Sequence, residues 1–355
     1  MAWDGRHRER VFNMSKGLVL VTGGAGYIGS VLLPKLVERG YNVRVLDRFF
    51  WGPGILANLP QMELITRDVR DVTCEDLEGV TAVIHLAGLS NDPTAEFNPE
   101  ANWEMNTLAT ARLAEACLQR GVLRLVFGSS CSVYDGLGSE EVLDESVAVK
   151  PRGPYAQSKY CAEQRLLEAA ERGLEPVILR QATVCGFSPR MRFDLVLNTF
   201  VKDALMKGRL FLHDGGWQWR PLVDVNDLSE AHIRCIEAPS ELVAGQVFNV
   251  VQANHRVREL AMMVAGSVQL SGRPVDLVEV EAPRPTRDYR CSGRRMEERI
   301  GFRCERTPSV TIADMLANVG ELDGGNFEHP RYHNIRWMEL LTEVHEYLKP
   351  YPSVF

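Results

Sequence analysis

The stretch "LVLVTGGAGYIGSVL", residues 18–32, decides the fold. Leu18–Val21 reads as a fully buried strand, and Ile28–Val37 reads as a helix with an apolar face. Between them, Gly23, Gly24, Gly26 and Gly29 occupy positions where strand and helix should be strongest. A glycine costs about 1 kcal/mol relative to alanine inside a helix, so the cluster needs a local reason. Such glycines let the chain turn tightly, bring backbone N–H groups against a pyrophosphate, and seat the helix close on a sheet. A glycine-rich loop alone is weak evidence, since glycine turns open many helices.

The following residues supply the context. "YNVRVLD", Tyr41–Asp47, is a second apolar strand ending in an acid. An acid there suits the ribose 2′-hydroxyl of a bound dinucleotide. Strand, glycine loop, helix, strand and acid in this order point to NAD. Arg48 can accept a 2′-phosphate, so NAD is favoured over NADP without that alternative being closed.

At 355 residues the chain is long enough for one large or two medium domains with a sizeable core. A net charge of −7 gives no general attraction to nucleic acid or to an acidic membrane. No apolar stretch approaches the ~20 residues of a membrane span. The basic start lacks the apolar core of a secretory signal. Eight cysteines are scattered without a C-x-x-C pair, which fits small hydrophobes in a reducing cytosol better than a disulfide framework. No His/Cys/carboxylate grouping has metal-ligand spacing, so no metal is expected.

Strand patterns at 18–22, 42–47, 62–66, 82–86, 123–128 and 176–180 alternate with helical patterns near 28–39, 74–78, 99–120 and 154–172. This predicts an α/β fold, a Rossmann-type doubly wound parallel sheet. Beyond about residue 186 the pattern loosens into helices with short strands, as at 195–207, 227–237 and 257–267, while Gln246–Val251 reads as a strand returning to the main sheet. The expected organisation is a flexible tail over 1–17, a dinucleotide domain over 18–185 plus about 246–252, a smaller discontinuous α/β substrate domain over 186–245 plus 253–325, and a helical extension over 326–355.

Two further stretches carry chemistry. "LVFGSSCSVYD", Leu125–Asp135, is a strand running into a hydroxyl-rich turn, and "PYAQSKYCAEQRLL", Pro154–Leu167, opens a helix bearing Tyr155 and Lys159. Spaced i and i+4, those side chains share one helical face. An ammonium beside a phenol favours the phenolate and brings it toward the range of a general base. Taken alone, the pair reads as a solvated helical face.

Together these motifs resemble the extended short-chain dehydrogenase/reductase family, in its nucleotide-sugar epimerase and dehydratase branch, from about Gly17 to Ala317. T-G-x-x-G-x-x-G is Thr22 to Gly29, and the adenine-contacting D-[VL]-R-D is Asp68 to Asp71. H-L-A-[AG] is His85 to Gly88, S-S-x-x-V-Y is Ser129 to Tyr134, and Y-x-x-x-K is Tyr155 to Lys159. The resemblance implies NAD held by Gly23, Gly26, Tyr27, Ile28, Gly29, Asp47, Arg48, Asp68, Val69, Leu86, Ala87, Gly88, Asn106, Tyr155 and Lys159. It implies a nucleotide-sugar substrate with contacts at Ser90, Ser130, Ser132, Thr183, Arg192, Asn198, Arg220 and Arg287, the last two toward a diphosphate. "ATVCGFSPRMRFDLVLNTFV" most resembles enzymes acting on nucleotide-activated heptoses and related higher sugars, with GDP-heptose-like substrates the best guess.

The implied mechanism has Tyr155 take the proton of the sugar's C4 hydroxyl while Ser130 hydrogen-bonds that oxygen and hydride passes to the nicotinamide. Lys159 holds the nicotinamide ribose and tunes Tyr155. Return of hydride to the other face of the 4-keto sugar inverts C4. The branch's 4,6-dehydratases carry Asp-Glu directly after the catalytic Ser/Thr, where this chain has Cys131-Ser132, so elimination is disfavoured. Cys131 is a packing residue or, in the alternative, an acid/base for epimerisation at C3 or C5. Other open readings are a net 4-dehydrogenase or reductase and a non-catalytic NAD sensor. A cytoplasmic homodimer is expected, and "FEHPRYHNIRWMELLTEVHEYL" reads as an added helix on the surface or on a partner subunit.

Overall fold

The computed structural model describes residues 16–56, 62–282 and 286–349. The tail expected over 1–17 therefore lies outside the described residues, apart from Lys16 and Gly17. Seven strands make one sheet: β1 Leu18–Thr22, β2 Asn42–Asp47, β3 Met62–Thr66, β4 Val80–His85, β5 Arg124–Ser130, β6 Glu175–Gln181 and β7 Gln246–Val250. Their order is β7-β6-β5-β4-β1-β2-β3, and every neighbouring pair is parallel.

The central strands are mostly apolar because helices cover both faces. On one face, Leu32 and Leu36 of the helix Gly29–Glu38 pack with Leu228 and Ala231 of the helix Val225–Glu237 over Val19, Val21 and Val126. On the other, Leu113 and Cys117 of the helix Ala109–Arg120 and Leu166 of the helix Pro154–Ala170 cover Leu20, Leu125 and Ile178. Chain direction from β1 runs outward both ways, to β2-β3 and, by crossover, to β4. The carboxyl ends of β1 and β4 thus flank a crevice of the kind in which open α/β sheets bind ligands.

One expected element is remodelled. The helical pattern near 99–120 is a helix Pro99–Trp103, a π turn Glu104–Leu108 and the helix Ala109–Arg120. The wider turn points Asn106 inward, where its amide donates to Leu89 O at 2.9 Å and Ser158 Oγ at 3.0 Å.

A second core gathers Phe193, Leu197, Val201, Leu260, Val264 and Ile312. It is framed by the helices Val196–Lys207, Val257–Gln269 and Pro308–Asn318 and by a three-stranded sheet of Ala253–Arg256, Trp219–Asp224 and Thr183–Cys185. Sequence reading anticipated the first two of these helices and short strands among them, without placing the strands; Pro221 further disguises Trp219–Asp224. The C-terminal segment forms the helix Asn334–Leu348, anchored where Phe193 meets Phe327 and Tyr332 with ring centroids 5.1 and 5.6 Å away. Among the described residues, no helix is long and apolar enough to cross a membrane, and no cluster of three or more His, Cys, Asp or Glu could hold a metal ion. All eight cysteines are free thiols, six of them buried.

Candidate active site

The glycine loop is built against the ends of two strands. Gly23 has φ +71°, and a Cβ there would lie 2.6 Å from the Ala87 backbone nitrogen, which cannot yield. A Cβ at Gly29 would strike the backbone of Gly24, so the following helix sits as close to the loop as glycine permits. Asp47, at the end of β2, accepts from Ala25 N at 3.0 Å and Phe49 N at 2.8 Å. Burial pushes its carboxyl above the usual range. The first turn of the helix Gly29–Glu38 carries no acidic side chain, leaving its positive dipole end uncompensated.

One cavity runs from this loop to the helix Pro154–Ala170. Its wall includes Gly23, Gly26, Tyr27, Ile28, Gly29, Asp47, Arg48, Asp68, Val69, Leu86, Ala87 and Gly88, all singled out from the sequence as cofactor contacts. Asp68 is held by Arg48 Nη1 at 3.0 Å and Arg70 Nη2 at 2.9 Å. Despite its burial, these partners bring its pKa down to about 2. His85, below the wall, is a structural residue. Its ring nitrogens meet Thr22 Oγ1 at 2.6 Å and Thr110 Oγ1 at 2.9 Å, and burial holds its pKa at about 3.

At the other end, Ser130 closes β5 and Tyr155 opens the helix Pro154–Ala170; both line the cavity. The expected pairing of ammonium and phenol takes a different form. Lys159 is buried off the cavity wall, donates to Gly128 O at 2.9 Å and lies 4.7 Å from the Phe127 ring centroid. Burial lowers its pKa to about 8. Burial also raises the Tyr155 phenol, opposed by a hydrogen bond with Ser130 and by the charge of Arg192. The Lys159 ammonium is thus taken up by a carbonyl, and the cation whose charge opposes the rise of the Tyr155 phenol is Arg192.

The expected substrate residues divide into two groups. Ser90, Thr183, Arg192 and Arg287 join Ser130 on the wall. Arg192 donates to Ser90 Oγ at 3.0 Å and forks onto Asp194 at 2.9 and 3.0 Å. Arg287 pairs with Asp92 and lies 3.8 Å from Asp135.

Three others, Asn198, Ser132 and Arg220, are not on this wall, nor are Asn106, expected at the cofactor, and Cys131. Asn198 is buried and spends its amide on Tyr27 OH, Arg192 O and Gly186 N, so it holds a loop rather than facing a sugar. Ser132 is fully buried. Asn106 is enclosed by Leu89, Asn102 and Ser158. Arg220 donates to Trp219 O at 2.8 Å and faces Asp135, a carboxylate it shares with Arg287. Cys131 donates from Sγ to Arg180 O at 3.2 Å, and burial pushes its thiol far above the usual range. A thiol so placed packs the core and does not reach the cavity wall.

Sequence reading missed Trp51, Gln181, Arg190, Asn334 and Met338, all on the wall. A second arginine two positions before Arg192 was the available signal for Arg190. Nothing local marked Asn334, which arrives from the C-terminal segment.

A parallel sheet with this glycine loop at its switch point, facing a Ser-Tyr pair with a buried lysine one turn on, defines a dinucleotide-dependent short-chain enzyme fold. Residues 19–251 match the NAD dependent epimerase/dehydratase family, and the chain belongs to that family. It is 33% identical over 239 residues to a UDP-glucose 4-epimerase of Azospirillum brasilense, covering 61% of this chain and 67% of that one. It is also similar to MoeE5 in a complex with UDP-glucose and NAD, at 29% identity and TM-score 0.74, covering 85% and 98% of the two chains. A third likeness is to DesIV, a dTDP-glucose 4,6-dehydratase of Streptomyces venezuelae, at 25% identity and TM-score 0.75, covering 87% and 100%.

Proposed function

We propose that this protein is an NAD-dependent epimerase that inverts C4 of a nucleotide-activated sugar. The observation that carries the reading is the shared wall of Ser130, Tyr155 and the glycine loop, with Arg192 and Arg287 on the same cavity. The residues present fit the dinucleotide: Gly23 and Gly29 leave no room for a Cβ at the loop, and Asp47 is fixed at the ribose position by Ala25 and Phe49. Gly23–Gly29 would hold its pyrophosphate, with Asp47 at the adenosine ribose and Val69 and Asp68 at the adenine. When bound, NAD supplies a reversible acceptor for the hydrogen on C4.

The chain's own residues do the rest. Tyr155 takes the proton from the C4 hydroxyl and later returns it, and Ser130 hydrogen-bonds that oxygen. Arg192 favours the phenolate and, with Arg287, offers donors to the sugar or its diphosphate. Elimination has no acid/base pair, because Cys131 and Ser132 follow Ser130 and both are buried away from the wall. The dinucleotide part is assigned to 18–185 with about 246–252 and the substrate part to 186–245 with 253–325.

The names of the similar proteins make UDP-glucose the first substrate to try, and the resemblance of the 182–201 stretch makes GDP-heptoses the second. Incubating purified protein with UDP-, GDP-, CDP-, dTDP- and ADP-sugars, followed by NMR, tests the reading. A C4 epimer without net NADH at 340 nm supports it. A 4-keto-6-deoxy product, or stoichiometric NADH, overturns it.

A further inference from the structure

Arg190 lies on the cavity wall and is 4% exposed. Its Nη2 donates to Asn334 Oδ1 at 2.6 Å, but Nε and Nη1 are buried and reach no acceptor among the described residues. Its flat face lies on Trp51, with Cζ 3.9 Å from the ring centroid. The Trp51 indole N–H, on the same wall, also lacks an acceptor. Nearby carboxylates are committed elsewhere: Asp194 to Arg192, and Asp47 to the Ala25 and Phe49 amides.

A buried guanidinium with two unmet donors is costly to hold, and an anion in the cavity removes that cost. Burial and the neighbouring charge of Arg192 lower its pKa to about 9 against the opposing pull of Asp194 and Asp47, which agrees with a cation whose counter-charge is incomplete. The loop carrying Arg190 is fastened to the glycine loop. Tyr27 OH donates to Gly186 O at 2.7 Å, Ser188 Oγ donates to Tyr27 O at 2.7 Å, and Ser188 Oγ lies 3.0 Å from Ser30 Oγ. Two residues beyond Ser188, Arg190 is thereby tethered to the N-terminus of the helix Gly29–Glu38, where a dinucleotide diphosphate meets the chain.

We propose that Arg190 is a ligand of the cofactor's diphosphate and that Asn334, brought in by the C-terminal segment, is its positioning residue. The inference rests on the reading of this cavity as an NAD site. It makes the C-terminal segment part of the cofactor site rather than surface decoration. The Asn334 amide also donates to Ser90 Oγ at 3.2 Å, and Trp337 Nε1 donates to Phe50 O at 2.9 Å, so the segment is fastened at both sides of Arg190.

Calorimetric titration of the full chain, stripped of nucleotide, with NAD, ADP-ribose, adenosine, NADP and UDP-glucose tests this. Arg190→Met keeps the stacking stem and removes the charge. It is expected to weaken NAD and ADP-ribose by about 10- to 100-fold while leaving adenosine, which has no phosphate, within about twofold. Arg190→Lys should restore part of the loss. Asn334→Ala should weaken NAD by about 3- to 10-fold, and that loss should vanish in the Arg190→Met background. If Arg190→Met does not fold, Asn334→Ala and Arg190→Lys carry the same comparison. Unchanged NAD affinity, an equal loss for adenosine, or a loss confined to UDP-glucose or to NADP each overturns the assignment while leaving the NAD reading intact. Wild-type protein that binds no NAD overturns both.

Discussion

The Arg180 guanidinium and the Glu163 carboxylate meet in the core between β6 and the helix Pro154–Ala170, with Nη2 2.7 Å from Oε2. Glu163 also accepts from the Ser129 hydroxyl, and Arg180 Nη1 donates to Tyr134 OH at 2.9 Å. Tyr155, Lys159 and Glu163 recur every four residues, so this pair fixes the face of the helix that presents the Tyr155 phenol.

Removing one partner of a buried, hydrogen-bonded pair strands the other charge, a loss of about 3–5 kcal/mol. Glu163→Ala is therefore expected to destabilise the protein by that amount in a denaturant titration. Replacing both, as Glu163→Leu with Arg180→Met, should cost much less. Equal losses for the single and double variants would show that packing, not charge, governs the site.

The part of this architecture legible in the sequence is the part written locally. Gly23, Gly26 and Gly29, the strand before them and Asp47 at the end of the next strand lie within one stretch and fix the crevice. Ser130 and Tyr155 were equally plain, since each ends or begins a periodic element. What the sequence did not disclose depends on contacts between distant segments. Asn198 sits at a helical position that looks able to reach a sugar, yet Tyr27 and Gly186 consume its amide. Lys159 sits one turn from Tyr155, but a Gly128 carbonyl claims its ammonium. Trp337 and Asn334 read as surface residues of an added helix, and only the folded chain brings Asn334 onto the cavity.

His85 and His232 are buried neutral, with pKa lowered by burial to about 3 and about 4. The unfolded chain protonates each near 6.5, so below that pH it binds more protons than the native state and stability falls. At pH 5 each histidine accounts for about 2 kcal/mol of this loss. Asp47, Asp135, Glu145 and Asp227 are raised by burial and act in the opposite sense, so the wild-type curve alone is not diagnostic. The diagnostic is the difference between wild type and His85→Gln, measured by urea unfolding from pH 7.5 to 5. The destabilisation caused by the variant should shrink by about 2 kcal/mol across that range. A difference independent of pH would mean that His85 takes up its proton in the native state at the same pH as in the unfolded chain.

Asp47 pins the glycine loop through Ala25, and in the proposed reading it also meets the ribose. Asp47→Ala is expected to weaken NAD binding by about 1–3 kcal/mol, the scale of hydrogen bonds to a charged group. Calorimetry reads this directly. Asp47→Asn keeps a side-chain oxygen for the Ala25 amide and should fall between wild type and alanine. An unchanged affinity in both variants would remove Asp47 from the ribose site.

Tyr155→Phe deletes one hydroxyl from the cavity wall and keeps the ring. Turnover should drop by at least the 10²–10⁴-fold typical of a general acid–base group, with NAD and nucleotide-sugar affinities nearly unchanged. No second base shares the wall at that point: Cys131 is enclosed, and Lys159 is turned toward Gly128. Near wild-type turnover by the phenylalanine variant would refute the assigned chemistry.

Inversion at C4 and inversion at a neighbouring carbon leave different isotopic records. If the hydrogen taken from C4 returns to C4 of the same molecule, a substrate deuterated there keeps its label, and turnover in D₂O introduces none. Epimerisation at C3 or C5 beside a ketone instead exchanges that carbon's hydrogen with solvent and needs an acid/base group at the sugar ring. The buried thiol of Cys131, bonded to the Arg180 carbonyl, does not supply one. Turnover in D₂O followed by NMR and mass spectrometry is therefore expected to give an unlabelled product with inverted C4. Cys131→Ala should change that rate by no more than a packing substitution would, within a few-fold. Solvent deuterium on a carbon beside C4, lost in Cys131→Ala, would reverse the reading and give the cysteine a place in the chemistry.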